Sequence, residues 1–415
     1  MGMKKVIILC YDFPPKNSVG AQRPFSWFKY FHKFNYYPII FTNKWDSKHE
    51  SIITLSGEIR YVDCDSNIRT KTPLSFFKKV FTLTETLTKW NKLGLDFKNP
   101  IYEAVNSYLE KEKVDVIIAT GEPFILFKYA SRLSELYNIP WYADYRDDWI
   151  ENHRLSHENN LSFFRLICAM EKKIERRLLN NVSGVFSVSS HLVKQISNRI
   201  NVSNYLSVEN GADLDLYEKT KNPFEPNTFN IIYTGSLYDL PYLIDFFKAY
   251  ETFISTVKAE KIKLYFVGIE NQNNQATKLV GKMKLKYPQN ILIQKRKPQE
   301  EIAQYQLHAN ILLNLIAGDP SLGLIGAKTY SYAVTRNPIL TIPNIKNKSS
   351  SFFPNRDIQR IAINEEEIIS FIKEIYLIFL NKSQFISSLT NEERYSMSRE
   401  AKSEEIINFF NQKRT

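Results

Sequence analysis

Short runs of apolar residues alternate along the chain with longer stretches in which apolar and polar residues recur at helical spacing. This alternation is typical of α/β proteins whose strands run parallel. In the first half it predicts strands over residues 5–10, 38–42, 114–120, 140–144, 185–188 and 205–208. Several of these runs are apolar throughout, as expected where helices cover both faces of a sheet. Helices are predicted between them over residues 24–34, 102–111, 124–136 and 161–180.

The periodicity is interrupted over residues 215–227, where lysines and prolines lie close together, and we place a linker between domains there. The pattern then resumes, with predicted strands over residues 229–233, 262–267, 290–293, 311–315, 338–341 and 360–363. Helices are predicted over residues 242–257 and 299–308. A polar, helix-like tail over residues 391–413 carries apolar side chains near its end, namely Ile406, Ile407, Phe409 and Phe410.

The chain has 415 residues, which suits two or three domains at roughly 150 residues each. Its two α/β halves are similar in size, and each opens with a strand and a turn. The pattern therefore predicts two Rossmann-like domains, an N-terminal one over residues 1–215 and a C-terminal one over residues 228–390. The tail over residues 391–415 is expected to form a helix that packs back across the domains.

Composition narrows the class of protein. With 43% hydrophobic and 24% charged residues, the chain is an ordinary globular protein and not a disordered or fibrous one. Its three cysteines, Cys10, Cys64 and Cys168, lie far apart, which predicts buried free thiols and a cytoplasmic location. The apolar run after Lys5 is too short for a signal peptide, and no stretch approaches the ~20 apolar residues of a membrane span.

The charge balance predicts an anionic partner. A net charge of +11 with 14% aromatic residues suits nucleic acid, an anionic membrane face or a phosphorylated small molecule. From Lys71 to Lys98, lysines are interleaved with aromatic and aliphatic side chains, which suits an anionic membrane interface. An amphipathic helix packed on the sheet fits the same pattern. No nucleic-acid-binding module is recognisable, so nucleic acid is not an expected partner.

A loop after the first predicted strand is the first candidate site. Open α/β sheets bind ligands at the carboxyl ends of their strands, and Gly20 and Arg23 lie in this loop and at the start of the following helix. Gly20 permits close approach of backbone to a substrate, and the helix N-terminus offers N–H groups to an anion. A surface loop with a turn glycine fits equally well. Neither a GxGxxG fingerprint nor a Walker A motif is present, which argues against a nicotinamide dehydrogenase and a P-loop NTPase.

Six motifs, in order along most of the chain, resemble those of family-4 glycosyltransferases with the GT-B fold, in the bacterial branch of the group 1 type. They are VIILCYDFPPKNSVGAQRPFSWFKYF, the run from Asp115 to Pro123, IPWYADYRDDW, GVFSVSSHL, VENGADLDLY and YTGSLYDL. The resemblance implies two Rossmann-like domains with parallel sheets that face each other across a cleft. It also implies that the chain is a retaining glycosyltransferase, a hexosyl- or related transferase of EC class 2.4.

The same resemblance implies roles for individual residues. The segment GAKTYSYA resembles the family's GK-x-x-EYLA helix and places Lys328 where it would meet the donor diphosphate. The expected sets are, for the donor, Gly20, Gly235, Ser236, Lys328, Ser331 and Tyr332; for the acceptor, Arg23, Asp144 and Asp147; and for catalysis, Asp147, Arg146 and Lys328. From the residues alone, Lys328 also fits a solvated surface lysine. The glycine-rich stretch from Gly318 to Gly326 fits either an anion loop or a flexible loop, and the carboxylates with Arg146 fit a structural salt-bridge knot.

The sequence departs from the family at its acidic and basic positions. Two glutamates that commonly contact the donor sugar and the ribose are absent, because Gly323 and Ser331 occupy or adjoin their positions. The usual Arg and Lys after Gly235 are also missing, and Lys295, Arg296 and Lys297 are candidates to supply that charge instead. His153 and His157 lack a third ligand, so neither a metal nor another cofactor is expected.

The resemblance implies transfer of a sugar from a nucleotide-sugar to a lipid-linked or glycan acceptor in bacterial surface-polysaccharide or lipopolysaccharide assembly. Because the family's acceptors are often lipid-linked, it also implies a cytoplasmic protein with a peripheral site on the inner face of the cytoplasmic membrane. The missing glutamates leave two alternatives open. One is a catalytically weak GT-B homologue that acts as a binding or scaffold subunit, and the other is a GT-B sugar-nucleotide epimerase. The nucleotide, sugar, linkage and oligomeric state do not follow from the sequence.

Overall fold

The computed structural model describes residues 2–16, 18–45, 50–64, 100–150, 161–218, 221–240, 242–270, 273–316, 326–343 and 357–412, without the side chains of 19, 161–167 and 327. The chain forms two compact units. Unit 1 comprises Met1–Glu209 and Ser403–Thr415, and unit 2 comprises Asn210–Lys402. The segment from Lys71 to Lys98, the pair His153 and His157, and the stretch 318–325 with Gly323 lie outside the described residues.

Unit 1 is built on a sheet of eight strands in the order β3-β4-β2-β1-β5-β6-β7-β8. The strands are β1 Lys4–Leu9, β2 Tyr36–Asn43, β3 Ile52–Ile53, β4 Glu58–Val62, β5 Val116–Gly121, β6 Trp141–Tyr145, β7 Gly184–Ser187 and β8 Tyr205–Ser207. All pairings are parallel except that of β3 with β4. The sequence did not predict β3 and β4, since one is a short exposed edge and the other carries Glu58 and Arg60 among its apolar residues.

Helices cover both faces of this sheet. They are α1 Val19–Tyr30, which leads into a 3₁₀ turn over Phe31–Phe34, α2 Pro100–Leu109, α3 Ile125–Tyr137, α4 Leu161–Leu178 and α5 Ser190–Ile200. The prediction that the first helix begins at Pro24 is wrong. It begins at Val19 because the Ser18 hydroxyl accepts a hydrogen bond from the Ala21 N–H at 3.2 Å and caps the helix.

Unit 2 is built on a fully parallel sheet of six strands in the order β11-β10-β9-β12-β13-β14. The strands are β9 Phe229–Thr234, β10 Ile262–Val267, β11 Ile291–Gln294, β12 Ile311–Ile316, β13 Ile339–Pro343 and β14 Gln359–Ile361. The helices are α6 Leu243–Ser255, α7 Gln275–Lys286, α8 Gln299–His308, α9 Ala327–Ala333, α10 Glu365–Leu380 and α11 Asn391–Ser396. The predicted α/β class with two parallel sheets is therefore confirmed.

The tail forms two helices, not the single helix that its polarity predicts: α11 is followed by α12 Arg399–Asn411. The break has a backbone cause. The Ala212 N–H donates to the Met397 carbonyl at 2.9 Å, and the Arg399 N–H donates to the Ala212 carbonyl at 2.8 Å. These groups are thereby withdrawn from a helical ladder.

The end of α12 completes the core of unit 1. Its four apolar side chains, Ile406, Ile407, Phe409 and Phe410, are buried in one cluster with residues of α1 and of the sheet. The ring centroid of Phe410 lies 4.4 Å from that of Tyr142 on β6.

The three cysteines differ in their burial. Cys10 and Cys64 are buried free thiols, whereas Cys168 is a free thiol that is only half-buried. In the part of the chain that the structure describes, no helix combines the length and the apolar character needed to cross a bilayer.

Candidate functional site

The order of the strands marks one position in each sheet where a ligand is expected. In unit 1 the chain moves from β1 to β2 on one side and to β5 on the other, and in unit 2 from β9 to β10 on one side and to β12 on the other. Open α/β sheets bind ligands beside the carboxyl ends of their strands at such a switch point. The predicted site residues that follow β1, and those at the end of β6, lie at the first position. Gly235 and Ser236, which follow β9, lie at the second.

Arg146 and Gly20 meet at the switch point of unit 1. The Arg146 guanidinium Nε donates to the Gly121 carbonyl at the end of β5, at 2.6 Å. A Cβ atom added to Gly20 would lie 2.0 Å from Arg146 Nη1, so a larger residue at this position of α1 would displace the guanidinium. The structure thus brings together two residues that the sequence assigned to donor binding and to catalysis.

Arg23 and Asp144, which the sequence assigned to the acceptor, form a buried ion pair within unit 1. Arg23 Nε lies 3.0 Å from Asp144 Oδ1, and the two side chains are 4% and 0% exposed. The Thr120 hydroxyl donates to Asp144 Oδ2 at 2.7 Å, and Arg23 Nη1 donates to the Val208 carbonyl at 3.0 Å. Burial raises the pKa of Asp144, while Arg23 and Thr120 oppose that rise. The pair links α1, β5 and β6 inside the core.

Asp148 belongs to a second buried network. Its carboxylate lies 2.7 Å from Arg199 Nη1, and Arg199 Nε lies 2.8 Å from Glu175 Oε2. The Tyr145 hydroxyl donates to Glu175 Oε1 at 2.9 Å, and the Ile150 N–H donates to Asp148 Oδ1 at 2.7 Å. Asp148 is therefore paired with Arg199 and not with Arg146, as the salt-bridge alternative from the sequence had it. The network ties the segment after β6 to α4 and α5.

Asp147 is the one carboxylate of this run that faces solvent. It is exposed, while Asp144 and Asp148 on either side are buried. Partial loss of solvation raises the pKa of its carboxyl group, the neighbouring Arg146 lowers it, and the negative charge of Glu122 raises it further. Arg146 and Asp147 therefore lie at the carboxyl end of β6, between Asp144 and Asp148, which are fixed in the two buried networks.

In unit 2, two neighbouring strands each end in a glycine turn. Gly235 and Gly268 follow β9 and β10 with φ of 91° and 88°, a conformation that favours glycine. A Cβ atom on Gly268 would lie 3.8 Å from the Cα atom of Gly235, so the two turns are adjacent. Gly268 was not among the predicted site residues, although a glycine directly after a predicted strand is a signal for such a turn.

Lys328, on α9, reaches the same turn. Its Nζ donates to the Tyr233 hydroxyl at 2.7 Å, lies 4.0 Å from the centroid of that ring, and is 3.5 Å from the Ser236 carbonyl oxygen. Among the described residues, no carboxylate lies within ion-pairing distance of it. Burial without such a partner lowers the pKa of Lys328 to about 7. The solvated surface lysine is thus not what the structure shows.

Tyr332 and Ser331 point to other partners within unit 2. The Tyr332 side chain is fully buried, and its hydroxyl accepts from the Thr234 N–H at 3.0 Å. Ser331 is hydrogen-bonded to Tyr217, whose hydroxyl donates to Gln306 Oε1 at 2.6 Å. The contact of Tyr332 with Thr234 ties α9 to the carboxyl end of β9. The roles of Tyr217 and Tyr233 could not be read from the sequence, since each meets its partner across long stretches of chain.

Arg296 is the residue of its basic cluster that approaches the glycine turn. Its Nη2 lies 3.5 Å from the Ser236 hydroxyl oxygen. Its backbone N–H donates to Glu270 Oε1 at 2.7 Å. Within the described ranges, no group of three or more His, Cys, Asp or Glu side chains is arranged to hold a metal ion.

Comparison with known proteins identifies the fold. Sucrose-phosphate synthase from Thermosynechococcus elongatus is 13% identical, with 99% of this chain and 98% of that chain covered and a TM-score of 0.62. Anabaena HepE in complex with UDP is 11% identical, with 99% and 100% covered and a TM-score of 0.59. The catalytic domain of starch synthase IV from Arabidopsis thaliana, bound to ADP and acarbose, is 7% identical, with 99% of both chains covered and a TM-score of 0.59.

No protein-family model matches the sequence, and no curated protein matches it. The likeness to solved structures extends over nearly the whole chain. It shows that this chain has the fold of the GT-B glycosyltransferases.

Proposed function

We propose that the chain is a retaining glycosyltransferase of family 4 that takes its sugar from a nucleotide-diphosphate sugar. The observation that carries the proposal is the amine of Lys328, which lies on a half-buried side chain, has no carboxylate partner among the described residues and adjoins the turn at Gly235. A diphosphate leaving group develops negative charge as the sugar bond breaks. An unpaired cation beside exposed backbone, at a switch point, suits that charge.

The donor then binds to unit 2 and the acceptor to unit 1. In unit 2, Gly235 and Ser236 allow close approach of the diphosphate to backbone, and Tyr233 fixes the position of Lys328 Nζ. In unit 1, Asp147 is the exposed carboxylate that orients an acceptor hydroxyl and accepts its proton, with Arg146 beside it. The raised pKa of Asp147 improves its match to a hydroxyl proton at neutral pH. Arg23, Asp144, Ser331 and Tyr332 support these groups through the contacts described above.

The acceptor is proposed to be a lipid-linked or glycan substrate in bacterial surface-polysaccharide or lipopolysaccharide assembly. The support is the alternation of lysines with aromatic residues from Lys71 to Lys98, which suits an anionic lipid surface. Flotation with liposomes that contain anionic lipid tests this part. We expect the protein to float at low ionic strength and to be released by salt. Absence of flotation at low salt would remove the membrane from the proposal.

The test of the donor proposal is binding of nucleotides by the intact protein. We expect at least one of UDP, GDP, ADP and dTDP to raise the melting temperature, because a ligand that binds only the folded state stabilises it. Lys328→Met should abolish most of the shift while leaving the unliganded protein folded. If none of the four nucleotides shifts the melting temperature of the wild type, the enzyme proposal fails.

A second candidate is a GT-B homologue that binds nucleotide but turns it over weakly. The hydrogen bond between Ser331 and Tyr217 favours it, because Ser331 occupies the position of a family glutamate and is engaged within unit 2. Nucleotide binding without release of sugar from any nucleotide-sugar, with or without a glycan acceptor, would select this candidate over the enzyme.

A further inference from the structure

We propose that Arg296 provides the second cation of the diphosphate site and acts together with Lys328 on the turn Gly235–Ser236. The inference rests on the proposed function and adds to it a residue from a different loop. Lys328 comes from α9, whereas Arg296 follows β11. Both side chains reach Ser236, Lys328 at the carbonyl oxygen and Arg296 at the hydroxyl, each at 3.5 Å.

The backbone of Arg296 is fixed beside the glycine turns. Its N–H donates to Glu270 Oε1 at 2.7 Å. Its Cα atom would lie 3.8 Å from a Cβ atom added to Gly268, and so would the Cα atom of Gly235. The guanidinium therefore starts from a defined point next to the turn, while its side chain remains exposed to an incoming ligand.

Its two basic neighbours are placed differently. Lys297 Nζ lies 2.8 Å from Glu301 Oε2 and 5.4 Å from the centroid of the Tyr305 ring, so its charge is already paired on α8. Lys295 is exposed and makes no hydrogen bond to Ser236. Arg296 has no ion pair within 4.0 Å with a described carboxylate side chain. Of the three residues, Arg296 alone contacts the turn through its side chain and has no described carboxylate within 4.0 Å of its charged group.

The chemistry of the two cations is complementary. A guanidinium stays protonated at every accessible pH and offers two parallel N–H donors to phosphate oxygens. A buried amine with a lowered pKa carries only part of a charge in the unliganded protein. A nucleoside diphosphate bears at least two negative charges at neutral pH, so a permanent second cation completes the neutralisation. The predicted ligand class is a diphosphate ester, and the base and ribose are not contacted by Arg296.

The test compares Arg296→Met with Lys295→Met in the full chain, by titration calorimetry with UDP, GDP, ADP and dTDP and with uridine. Both variants remove one exposed positive charge from the same loop and leave the core untouched. We expect Arg296→Met to weaken binding of whichever nucleotide the wild type binds by roughly tenfold or more, as loss of a hydrogen bond to a charged group does. Lys295→Met should change it by less than about threefold. Uridine binding, if measurable, should be equal in all three proteins.

The outcomes separate the two proposals. If the wild type binds a nucleotide and Arg296→Met binds it as tightly as Lys295→Met does, the role of Arg296 is wrong and the proposed function stands. If the wild type binds none of the four nucleotides, the proposed function fails and the role of Arg296 fails with it.

Discussion

We expect the proposed binding of nucleotide beside Lys328 to depend on pH. Its pKa is lowered to about 7 by burial, and a diphosphate beside Nζ favours the protonated form and raises that pKa again. Above pH 7 the free protein must therefore take up a proton in order to bind. We expect the affinity for the bound nucleotide to fall between about pH 7.5 and 9 by up to roughly tenfold per unit.

Calorimetry in buffers with different ionisation enthalpies measures this proton uptake directly. Lys328→Met should bind more weakly and with a nearly flat dependence on pH over the same range, because the titrating amine is gone. Equal proton uptake by the wild type and by this variant would show that another group is responsible.

We expect Gly20→Ala to affect sugar transfer but not to reduce stability. In Gly20→Ala, the new methyl group displaces the end of the Arg146 side chain, which lies 2.0 Å from the added atom. Alanine favours a helix over glycine by up to about 1 kcal/mol, so stability should be unchanged or slightly increased. Sugar transfer should fall by about tenfold or more, because Arg146 loses its position.

Gly281→Ala on α7 is the matched control, since nothing lies within 4 Å of the added Cβ atom. It should raise stability by a similar amount and leave transfer unchanged. Transfer rates that are equal in the two variants would contradict the role of Arg146.

At the scale of elements, Arg199 joins three parts of unit 1. It pairs with Glu175 on α4 and with Asp148 after β6, and these carboxylates are 0% and 7% exposed. Arg199→Met leaves both carboxylates buried without their cation, which should cost about 3–5 kcal/mol of unfolding free energy. Adding Glu175→Gln to Arg199→Met should restore part of the lost unfolding free energy, because it removes one of the two unpaired buried charges.

Arg360→Met provides the comparison for this prediction. Its ion pair with Glu374 is 42% and 49% exposed, so its loss should cost less than about 1 kcal/mol. Denaturant unfolding checks both values. A loss below about 1 kcal/mol for Arg199→Met would mean that the network does not hold the segment after β6.

The last turns of α12 are an integral part of unit 1. Phe410 is buried against Tyr142 and Tyr36, so Phe410→Ala should destabilise unit 1 by about 3–5 kcal/mol. Leu285→Ala on α7 is the control, because Leu285 is 83% exposed and its truncation should be nearly neutral. Thermal unfolding compares the two. Equal melting temperatures would contradict the docking of α12.

Across the two units, the pattern of apolar residues predicted the strands of both sheets except β3 and β4. Runs such as Val6 to Leu9 are apolar throughout because helices cover both faces, and such runs stand out without knowledge of their partners. The ends of helices were predicted less well, since α1 begins at a serine cap and the tail breaks where Ala212 bonds to its backbone.

The site was predicted only in part, for a physical reason. Sequence motifs singled out Asp144, Asp147 and Asp148 but could not show which carboxylates are paired. Their partners Arg23 and Arg199 lie 121 and 51 positions away in the chain. The same holds for Lys328, whose partner Tyr233 is 95 positions away. Pairing across such distances depends on the register of the whole sheet.

Proton NMR of the reaction with nucleotide-sugars shows whether this chain, which has the GT-B fold, transfers sugar with retention of configuration. The intact protein is incubated with UDP-, GDP-, ADP- and dTDP-glucose, and the first sugar released to water or to a glycan acceptor is observed. We predict that one donor releases its nucleoside diphosphate, that the new anomeric centre first appears in the α configuration of the donor, and that Lys328→Met abolishes the release. Release of a β-configured product or of a sugar epimerised at C2, or no release from any donor, would contradict the account.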